Sequence, residues 1–482
     1  MNQQTRNTGS CNAVSRRSFI AASGAFAVSK LAGGVLPERP ELVVGILSDT
    51  HVTDRASTLA LRRALRYFRE RLVDAVVIAG DLTDHGLVGE LREVAEAWCD
   101  VFPDDFGRDG RHVERIFVAG NHDVRVFDNA PCIGANMGFG NLDVTGSDAL
   151  PLVKVGFAKA WRHFFGDDFS PFFRRRVKGF DFLCANWDPA TPIDLFSATP
   201  DWQMRRLREE LAEADTSRPF FYVQHPHLKG TVMECDYVFT HDDGAVTAVL
   251  KDYPMAVALS GHSHISLTDD RCFWRGSFTA VGTSALKSAN TSAIHDNFES
   301  VIRMTGDVPD VRQGMLMSVF PDRIVLERRD FSRGEEIDVP WVTPVPARSV
   351  RREDRVEYVQ TPRFPDAASV RVVLPQRPGG DGVIEFPQAV ENAKTRPYDY
   401  EVKVEHSYAG VELTLGMFRV LSSTVVLPKK YDLQFPAVKV ALEARHLPKY
   451  DLGRVRVTVT ALNSLGARGS AISSGWIQVP KV

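Results

Sequence analysis

One stretch near residue 260 constrains the fold of this chain more than any other. An apolar run, Met255–Leu259, is followed by a Ser-Gly pair and then by two histidines, His262 and His264, one residue apart. An apolar run of this length is typical of a buried strand in a parallel sheet. Gly261 is expected to turn the backbone, and imidazoles just beyond a strand end suit a transition metal. Because most loop histidine pairs are solvated or hydrogen-bonded, this pair needs support from other strand ends.

Four other apolar runs end in polar residues that can bind metal ions. The runs are 42–47, 74–79, 115–119 and 220–224, and they are followed by Asp49 and His51, by Asp81, by Asn121, His122 and Asp123, and by His225. Helical spacing of apolar residues between the runs, at about 61–72, 89–98, 201–214 and 246–250, predicts strand–helix alternation and an α/β domain. In such folds ligands collect beyond the carboxyl ends of the strands.

The five strand ends together supply nine such side chains, including His262 and His264, and seven of the nine are enough for two adjacent metal ions. Carboxylate, imidazole and carboxamide ligands without thiolates favour Mn, Fe or Zn. One carboxylate must bridge the ions, and Asp81 suits this position because Gly80 lets the backbone come close. Two ions about 3.5–4 Å apart stabilise the attacking and leaving oxygens of an in-line displacement. A hydroxide shared between the ions is the expected nucleophile.

The motif set resembles that of the calcineurin-like metallophosphoesterases. The resemblance rests on Asp-x-His at 49–51, Gly-Asp at 80–81, Gly-Asn-His-Asp at 120–123, His225, and Gly-His-Ser-His at 261–264, in the family's order over roughly residues 41–335. It implies a four-layer α/β sandwich, in which two mixed sheets pack together with helices outside. It also implies a metal-dependent phosphoric ester hydrolase.

The resemblance assigns a role to each matching residue. The first metal ion would be held by Asp49, His51, Asp81 and His264, and the second by Asp81, Asn121, His225 and His262. His122 would face the phosphate and stabilise or protonate the leaving oxygen, with Asp123 orienting its ring.

One departure narrows the choice of activity. Purple acid phosphatases carry a tyrosine ligand three residues after the Asp of Gly-Asp, where this chain has Asp84. Gly-Asp-Leu-Thr-Asp with Asn-His-Asp is more similar to the cyclic-nucleotide-phosphodiesterase-like branch, which favours a phosphodiester. A phosphomonoesterase or nucleotidase and a catalytically idle metal-binding scaffold stay open as alternatives. A net charge of −3 gives no strong nucleic-acid signal and speaks mildly against a nuclease.

Several further residues are candidates for contact with a small phosphate ester. They lie near the expected ligands in sequence: Asp54, His85, Arg125 and His227, and more weakly Arg271 and Lys287. For each, a solvated or hydrogen-bonded side chain is the competing interpretation. The sequence leaves the oligomeric state open.

The first 40 residues are expected to be an export signal and linker. Ser-Arg-Arg-Ser-Phe at 15–19 precedes a mild apolar stretch and is similar to the twin-arginine (Tat) signal. The apolar stretch is too short and interrupted for a membrane span. We therefore expect a periplasmic, cell-surface or secreted protein. The chain has six cysteines and no Cys-x-x-Cys spacing, so we do not expect a disulfide framework.

The remainder of the chain divides into a catalytic domain, a linker and a β domain. We expect the metallophosphoesterase domain at 41–338 and a Pro- and Arg-rich linker at 339–366. Short alternating runs at 367–482 predict an all-β sandwich. Its last strand and turn, 455–466, are similar to a fibronectin type III module, although Val455 stands where that family usually has tyrosine. This β domain is expected to pack against the catalytic domain or to bind a partner.

Overall fold

The protein is described by a computed structural model that covers most of the chain. The described residues are 39–124, 150, 152–187, 199–236, 242–289, 311–377, 379–389, 396–422, 425–427, 437–448 and 453–479. The predicted export signal and Arg125 lie outside the described residues. No helix within the described ranges is long and apolar enough to cross a membrane.

Thirteen strands within the described residues form two sheets in the first part of the chain, which we call the α/β unit (described residues 39–344). They are β1 (Leu42–Leu47), β2 (Ala75–Ala79), β3 (Glu114–Val118), β4 (Phe172–Val177), β5 (Phe180–Ala185), β6 (Phe220–Gln224), β7 (Ala256–Ser260), β8 (Phe273–Arg275), β9 (Thr279–Gly282), β10 (Gln313–Val319), β11 (Arg323–Asp330), β12 (Glu335–Glu336) and β13 (Trp341–Pro344).

Both sheets are mixed. The first has the order β12-β11-β10-β1-β2-β3, with β13 also paired to β11, and the second has the order β4-β5-β6-β7-β9-β8. Strands β1, β2 and β3 run parallel, and so do β5, β6, β7 and β9. The parallel strands of each sheet therefore deliver their carboxyl ends to one edge, where polar loops can meet.

Five of the eight helices among the described residues cover the outer faces of the two sheets. The helices are α1 (Arg55–Glu70), α2 (Val88–Val101), α3 (Asn121–Val124), α4 (Leu152–Val155), α5 (Phe157–Phe165), α6 (Asp201–Glu213), α7 (Ala245–Leu250) and α8 (Val356–Val359). Helices α1, α2 and α5 pack on the first sheet, and α6 and α7 pack on the second. A third apolar cluster joins the inner faces of the two sheets. This is the expected four-layer α/β sandwich.

Helix α1 shows how the sequence sets a local element. Its apolar residues Leu61, Leu65 and Phe68 are fully buried against the first sheet, as their spacing predicts. Asp54 caps its first turn by accepting a hydrogen bond from the Ser57 amide at 2.7 Å. Leu72, which has the same helical spacing, lies beyond the helix end and is 38% exposed.

The first sheet extends further along the chain than the sequence indicated. Strand β13 lies within the predicted linker, and its Trp341 is 2% exposed and pairs with Leu326 of β11. The boundary expected at residue 338 therefore cuts through the sheet. A proline at each end of this short strand hid it, because proline is disfavoured in strand interiors.

The remaining strands form a second layered structure, which we call the β unit (described residues 361–479). Its strands are β14 (Arg371–Val373), β15 (Gly382–Pro387), β16 (Asp399–Tyr408), β17 (Val411–Leu421), β18 (Ala437–Leu442), β19 (Arg454–Leu462), β20 (Arg468–Ser473) and β21 (Ile477–Gln478). Two antiparallel sheets, β14-β15-β18 and β17-β16-β19-β20, enclose one apolar core, and β21 pairs with β19. The β unit is therefore an all-β sandwich, and its fibronectin type III-like character stays a prediction.

Candidate metal centre

The predicted ligands meet at the carboxyl edge of the two sheets. They follow strands β1, β2, β3, β6 and β7 directly, and their ligand atoms form three groups in which all atoms lie within 4.8 Å of one another. The groups are Asp49 with His51 and His264, His51 with Asp81 and His122, and Asp81 with His225 and His262. The fold thus brings together side chains that are more than 200 residues apart in sequence.

The first group surrounds the carboxylate that follows β1. Nε2 of His264 lies 3.1 Å from Oδ1 of Asp49 and 3.2 Å from Nε2 of His51. Asp49 is fully buried. Its Oδ2 accepts hydrogen bonds from the Ser48 hydroxyl at 2.5 Å and from the His262 amide at 3.0 Å. Oδ1 is thereby turned toward the two imidazoles.

The group of Asp81, His225 and His262, which we call the second group, surrounds the carboxylate that follows β2. Oδ2 of Asp81 lies 3.1 Å from Nε2 of His225, and that nitrogen lies 3.2 Å from Nδ1 of His262. The same Asp81 oxygen is 3.5 Å from Nε2 of His51. Asp81 therefore stands between the two groups, which is the place that a bridging carboxylate requires.

Hydrogen bonds on the far side of three rings point their Nε2 atoms into the cluster. Nδ1 of His51 donates to Asp84 at 2.8 Å, Nδ1 of His225 donates to the Ala79 carbonyl at 2.8 Å, and Nδ1 of His264 donates to the Ser288 carbonyl at 3.2 Å. Such contacts are typical of metal-binding histidines, because they fix the ring orientation and the nitrogen left to bind. Asp84 and the carbonyls of Ala79 and Ser288 thus orient three imidazoles so that each Nε2 faces the cluster.

The buried amide oxygen of Asn121 fits the same purpose, because Asn121 lies between Gly120, which packs against Asp81 and His225, and His122, whose main-chain amide donates to Oδ1 of Asp81 at 2.9 Å. Among the described residues, none donates a hydrogen bond to the buried Oδ1 atom of Asn121. A buried acceptor without a partner costs free energy, and a cation near Asp81 and His225 would satisfy it. The donor set therefore fits two metal ions that share Asp81.

The buried carboxylates of the cluster favour positive charge on two of its histidines. Burial disfavours a charged His51, but contacts with Asp49 and Asp84 raise its pKa to about 10. Burial likewise opposes charge on His225, yet Asp81 and Asp49 raise its pKa to about 9. Burial and the neighbouring His225 lower the pKa of His262 to about 3, so its ring is neutral at pH 7. The carboxylates thus attract cations into a buried site.

Five of the expected ligands have a backbone conformation that side chains seldom adopt. Asp49, His51, Asp81, His262 and His264 have φ values of 49°, 40°, 51°, 73° and 58°. Left-handed backbone costs about 1–3 kcal/mol at a residue other than glycine and concentrates at functional sites. Hydrogen bonds from the Asp49 amide to the Gly80 carbonyl and from the His51 amide to the Asp81 carbonyl hold two of these turns in place.

Two glycines at the site act by leaving space. Gly80 has φ +98°, and a Cβ there would lie 2.1 Å from Nδ1 of His225, which agrees with the close backbone approach expected beside Asp81. A Cβ on Gly261 would lie 1.8 Å from the Ser48 hydroxyl oxygen and 2.4 Å from Oδ2 of Asp49. Gly261 has no positive φ. The backbone does turn after β7, where the Ser263 amide donates to the Gly261 carbonyl at 2.9 Å, but glycine is needed here for close packing and not for a left-handed turn.

The role expected of Asp123 also needs correction. Nδ1 of His122 donates to the Asp84 carbonyl at 2.7 Å, so a main-chain oxygen orients this ring. The Asp123 carboxylate instead accepts hydrogen bonds from the Thr83 amide at 2.8 Å and from the Gly120 amide at 2.8 Å. Burial, together with the negative charge of Asp81, raises the pKa of Asp123 to about 6. Asp123 thus ties the loops after β2 and β3 together rather than holding the catalytic ring.

The secondary candidates prove to have varied roles. Asp54 is the cap of α1, and His227 is buried between the hydroxyls of Ser260 at 2.8 Å and Ser263 at 2.6 Å. Both side chains are therefore hydrogen-bonded within the fold, which was the competing interpretation of their role.

Two other candidates are occupied by nearby carboxylates. Nδ1 of His85 lies 2.8 Å from the buried Glu90 carboxylate, at the margin of the site. Arg271 pairs with Asp269 at 2.6 Å and lines a separate cavity of about 590 Å³. Neither contact places these side chains among the predicted ligands.

Lys287 and Asp84 form a pair beside the metal cluster that the sequence only hinted at. Nζ of Lys287 donates to Oδ1 of Asp84 at 2.6 Å, and the same oxygen accepts from His51. The position of Asp84 within Gly-Asp-Leu-Thr-Asp was the available signal. The Ser288 carbonyl had none, because a main-chain group has no sequence signature.

The fold and this constellation define a four-layer α/β protein with a buried carboxylate and imidazole cluster suited to metal ions. Residues 42–266 match the family model of the calcineurin-like phosphoesterases. This part of the chain is therefore similar to that family, as its motifs indicate. The family and the ligand groups together indicate a metal-dependent phosphoesterase.

Comparisons with solved structures add distant similarities. A dimetal phosphatase from Danio rerio is 14% identical, with a TM-score of 0.38 and coverage of 63% of this chain and 98% of its own. A purple acid phosphatase from yellow lupin seeds is also 14% identical, with a TM-score of 0.38 and coverage of 62% and 53%. A Plasmodium protein described as the anchor in the inner membrane complex is 13% identical, with a TM-score of 0.35 and coverage of 64% and 90%. A comparison with curated proteins gave no match.

Proposed function

We propose that this protein is a dinuclear-metal hydrolase of phosphoric esters and that it favours diesters over monoesters. The observation that carries the proposal is the position of Asp81, which lies in one group with His225 and His262 and 3.5 Å from Nε2 of His51 in the other. The buried Asn121 oxygen, which has no hydrogen-bond partner among the described residues, supports it. The first metal ion would be held by Asp49, His51, Asp81 and His264, and the second by Asp81, Asn121, His225 and His262. The donor set suits Mn, Fe or Zn.

Metal ions at these positions would supply Lewis acidity toward the phosphoryl oxygens and would lower the pKa of water to near neutrality. The protein holds the ligands rigidly by the hydrogen bonds behind the rings of His51, His225 and His264. Burial excludes bulk water from the carboxylates, since Asp49 and Asp81 are at most 1% exposed. A low dielectric strengthens their interaction with cations.

We assign the departure of the alcohol to His122. Its Nδ1–H is engaged with the Asp84 carbonyl, and its side chain is 29% exposed, so Nε2 is the nitrogen left for a substrate. Burial lowers the pKa of His122, which favours a neutral ring before substrate binds. An anionic ester beside the ring favours its protonated form. His122 then donates the Nε2 proton to the leaving oxygen.

Two sequence features support the preference for diesters. Asp84 stands where purple acid phosphatases carry tyrosine, and its carboxylate is engaged by His51 and Lys287. The surrounding Gly-Asp-Leu-Thr-Asp and Asn-His-Asp motifs are similar to those of phosphodiesterases in the family. A small phosphodiester is therefore the proposed substrate.

The decisive experiment combines elemental analysis with hydrolysis of bis-p-nitrophenyl and mono-p-nitrophenyl phosphate by the same preparation. Wild type is compared with Asn121→Ala and His122→Ala. The exposed His112 supplies a matched control, His112→Ala. We expect about two metal ions per chain in wild type, fewer in Asn121→Ala, and a full complement in His122→Ala with about 10²–10⁴-fold slower hydrolysis.

Other outcomes would point to the alternatives. A wild type that binds two ions and leaves both esters intact would favour the catalytically idle scaffold. Faster hydrolysis of the monoester would favour a phosphatase or nucleotidase. A chain without metal after reconstitution with Mn, Fe or Zn would refute the proposal.

We also propose export through the twin-arginine pathway, which places the protein in the periplasm, at the cell surface or outside the cell. The proposal rests on the Ser-Arg-Arg-Ser-Phe motif at 15–19. Replacing Arg16 and Arg17 by lysine should retain the protein in the cytoplasmic fraction. Unchanged fractionation of that variant would contradict the proposal.

A further inference from the structure

A buried glutamine joins three loops behind the metal site. Gln313, the first residue of β10, is fully buried. Its Oε1 accepts hydrogen bonds from the Leu267 amide at 2.7 Å and the Ser284 hydroxyl at 3.1 Å, and its Nε2 donates to the Val426 carbonyl at 3.2 Å. Leu267 lies three residues after His264, while Val426 belongs to the β unit. One side chain therefore links the β unit to two loops of the α/β unit.

One of these loops carries contacts to the first metal site. We call residues 283–289 the rear loop. Its Lys287 amide donates to the Asp49 carbonyl at 3.0 Å, and its Ser288 carbonyl accepts from Nδ1 of His264 at 3.2 Å. The main-chain amide of Gln313 in turn donates to the Ala285 carbonyl at 2.9 Å. The rear loop thus lies between Gln313 and two of the four residues of that site.

The β unit presses on the same loop. Val425, Val426 and Leu427 pack in one apolar cluster with Ala289, the last residue of the rear loop, and with Val311. The hydroxyl of Thr268 also donates to the Val425 carbonyl. These contacts are buried, so they hold Ala289 at the end of the rear loop, and Thr268 four residues after His264, against the β unit.

We propose that Gln313 is a positioning residue through which the β unit sets the geometry of the first metal site. The inference rests on the proposed metal centre and adds a selective effect on one of its two halves. The second site lacks this link in the described structure, because its His225 is held by the Ala79 carbonyl of β2. Loss of the Gln313 contacts should therefore loosen Asp49 and His264 more than the second site, whose His225 stays held by the Ala79 carbonyl.

The physical reason is the narrow tolerance of metal coordination. Ligand distances vary by only about ±0.2 Å in working sites. Partners that orient a ligand from behind typically contribute about 10–100-fold to metal affinity. Gln313 acts one step further back, so we expect a change near the lower end of that range.

The test uses the full chain, stripped of metal with a chelator, and calorimetric titration with Mn²⁺ alone. Gln313→Met removes the amide and keeps the length of the side chain. It is introduced into Asn121→Ala, where the first site remains, and into His264→Ala, where the second remains. Ser464→Ala is the matched control, because Ser464 is a buried β-unit residue that bonds the Asp270 amide at 3.1 Å and does not reach the rear loop.

We expect Gln313→Met to weaken Mn²⁺ binding about tenfold in the Asn121→Ala background and less than twofold in the His264→Ala background. Ser464→Ala should change neither by more than about twofold. Equal weakening of both sites, or of neither, would overturn the inference while leaving the metal centre intact. A wild type that binds no Mn²⁺, Fe or Zn would instead overturn the proposed function, and this inference with it.

A second variant protects the test against misfolding. If Gln313→Met does not fold, Thr268→Val cuts the hydroxyl contact to the Val425 carbonyl and keeps the volume of the side chain. The same selective loss should follow, at about threefold. An unchanged first site in Thr268→Val would then count against the inference.

Discussion

Replacing Gly261 by alanine should disable the first metal site through one methyl group. The added Cβ would lie 1.8 Å from the Ser48 hydroxyl and 2.4 Å from Oδ2 of Asp49, whereas Cβ atoms essentially never come within 3.0 Å of such neighbours. The Asp49 oxygen must therefore withdraw by at least 0.6 Å, about three times the tolerance of a metal–ligand distance. We expect metal affinity to fall by at least about tenfold, with about 1–3 kcal/mol of lost stability from overpacking.

Metal titration of Gly261→Ala beside Gly282→Ala provides the measurement. Gly282 ends β9 in the same sheet and is also buried, but a Cβ there meets its nearest neighbour, His227, at an ordinary 3.4 Å. The control should therefore keep wild-type metal binding and hydrolysis. Should Gly261→Ala bind two ions as tightly as wild type, the argument that this glycine makes room for the Asp49 carboxylate would be wrong. A loss of stability with intact metal binding would lead to the same conclusion.

Three further predictions follow from contacts at and near the site. Asp54→Ala should lower the free energy of unfolding by about 1 kcal/mol in urea titrations, because the cap of α1 is lost, and hydrolysis should not change; a slower enzyme of normal stability would restore Asp54 as a substrate contact. Asp84→Asn keeps the shape but removes the charge behind His51, so the affinity of the first metal ion should drop about tenfold or more, and unchanged binding in a calorimetric titration would contradict this. His51 and His225, with pKa values of about 10 and about 9, hold protons at pH 7 that a metal ion must displace, so metal affinity should rise with pH up to about 10, with about two protons released per chain at pH 7 in calorimetry across buffers; affinity that falls with rising pH would refute the sign.

The parallel strands and their ends could be predicted from the sequence. Strands buried on both faces are continuous apolar runs, such as Leu42–Leu47 and Phe220–Gln224, and their carboxyl ends hold the site. Short strands at the sheet margin gave no such run. Phe273–Arg275 and Thr279–Gly282 are three and four residues long and are separated by a turn, so they were not predicted.

The partners of the site residues were much less predictable than the residues themselves. The sequence indicated His122 but assigned its orientation to Asp123, whereas the Asp84 carbonyl orients it. Main-chain carbonyls have no residue identity, so their contacts cannot be found by motif. Gln313 was missed for a related reason, because its partners Leu267 and Val426 are 46 and 113 residues away in the chain.

The left-handed backbone at Asp49, His51, Asp81, His262 and His264 has an evolutionary consequence. Each of these turns costs the folded chain free energy that glycine would largely spare it, but glycine has no side chain with which to bind an ion. Selection for activity and selection for stability therefore oppose each other at the same five positions. A descendant that stopped hydrolysing esters and kept the fold as a platform would be free to accept glycine or asparagine there. We expect such a descendant to gain stability as it loses its chemistry.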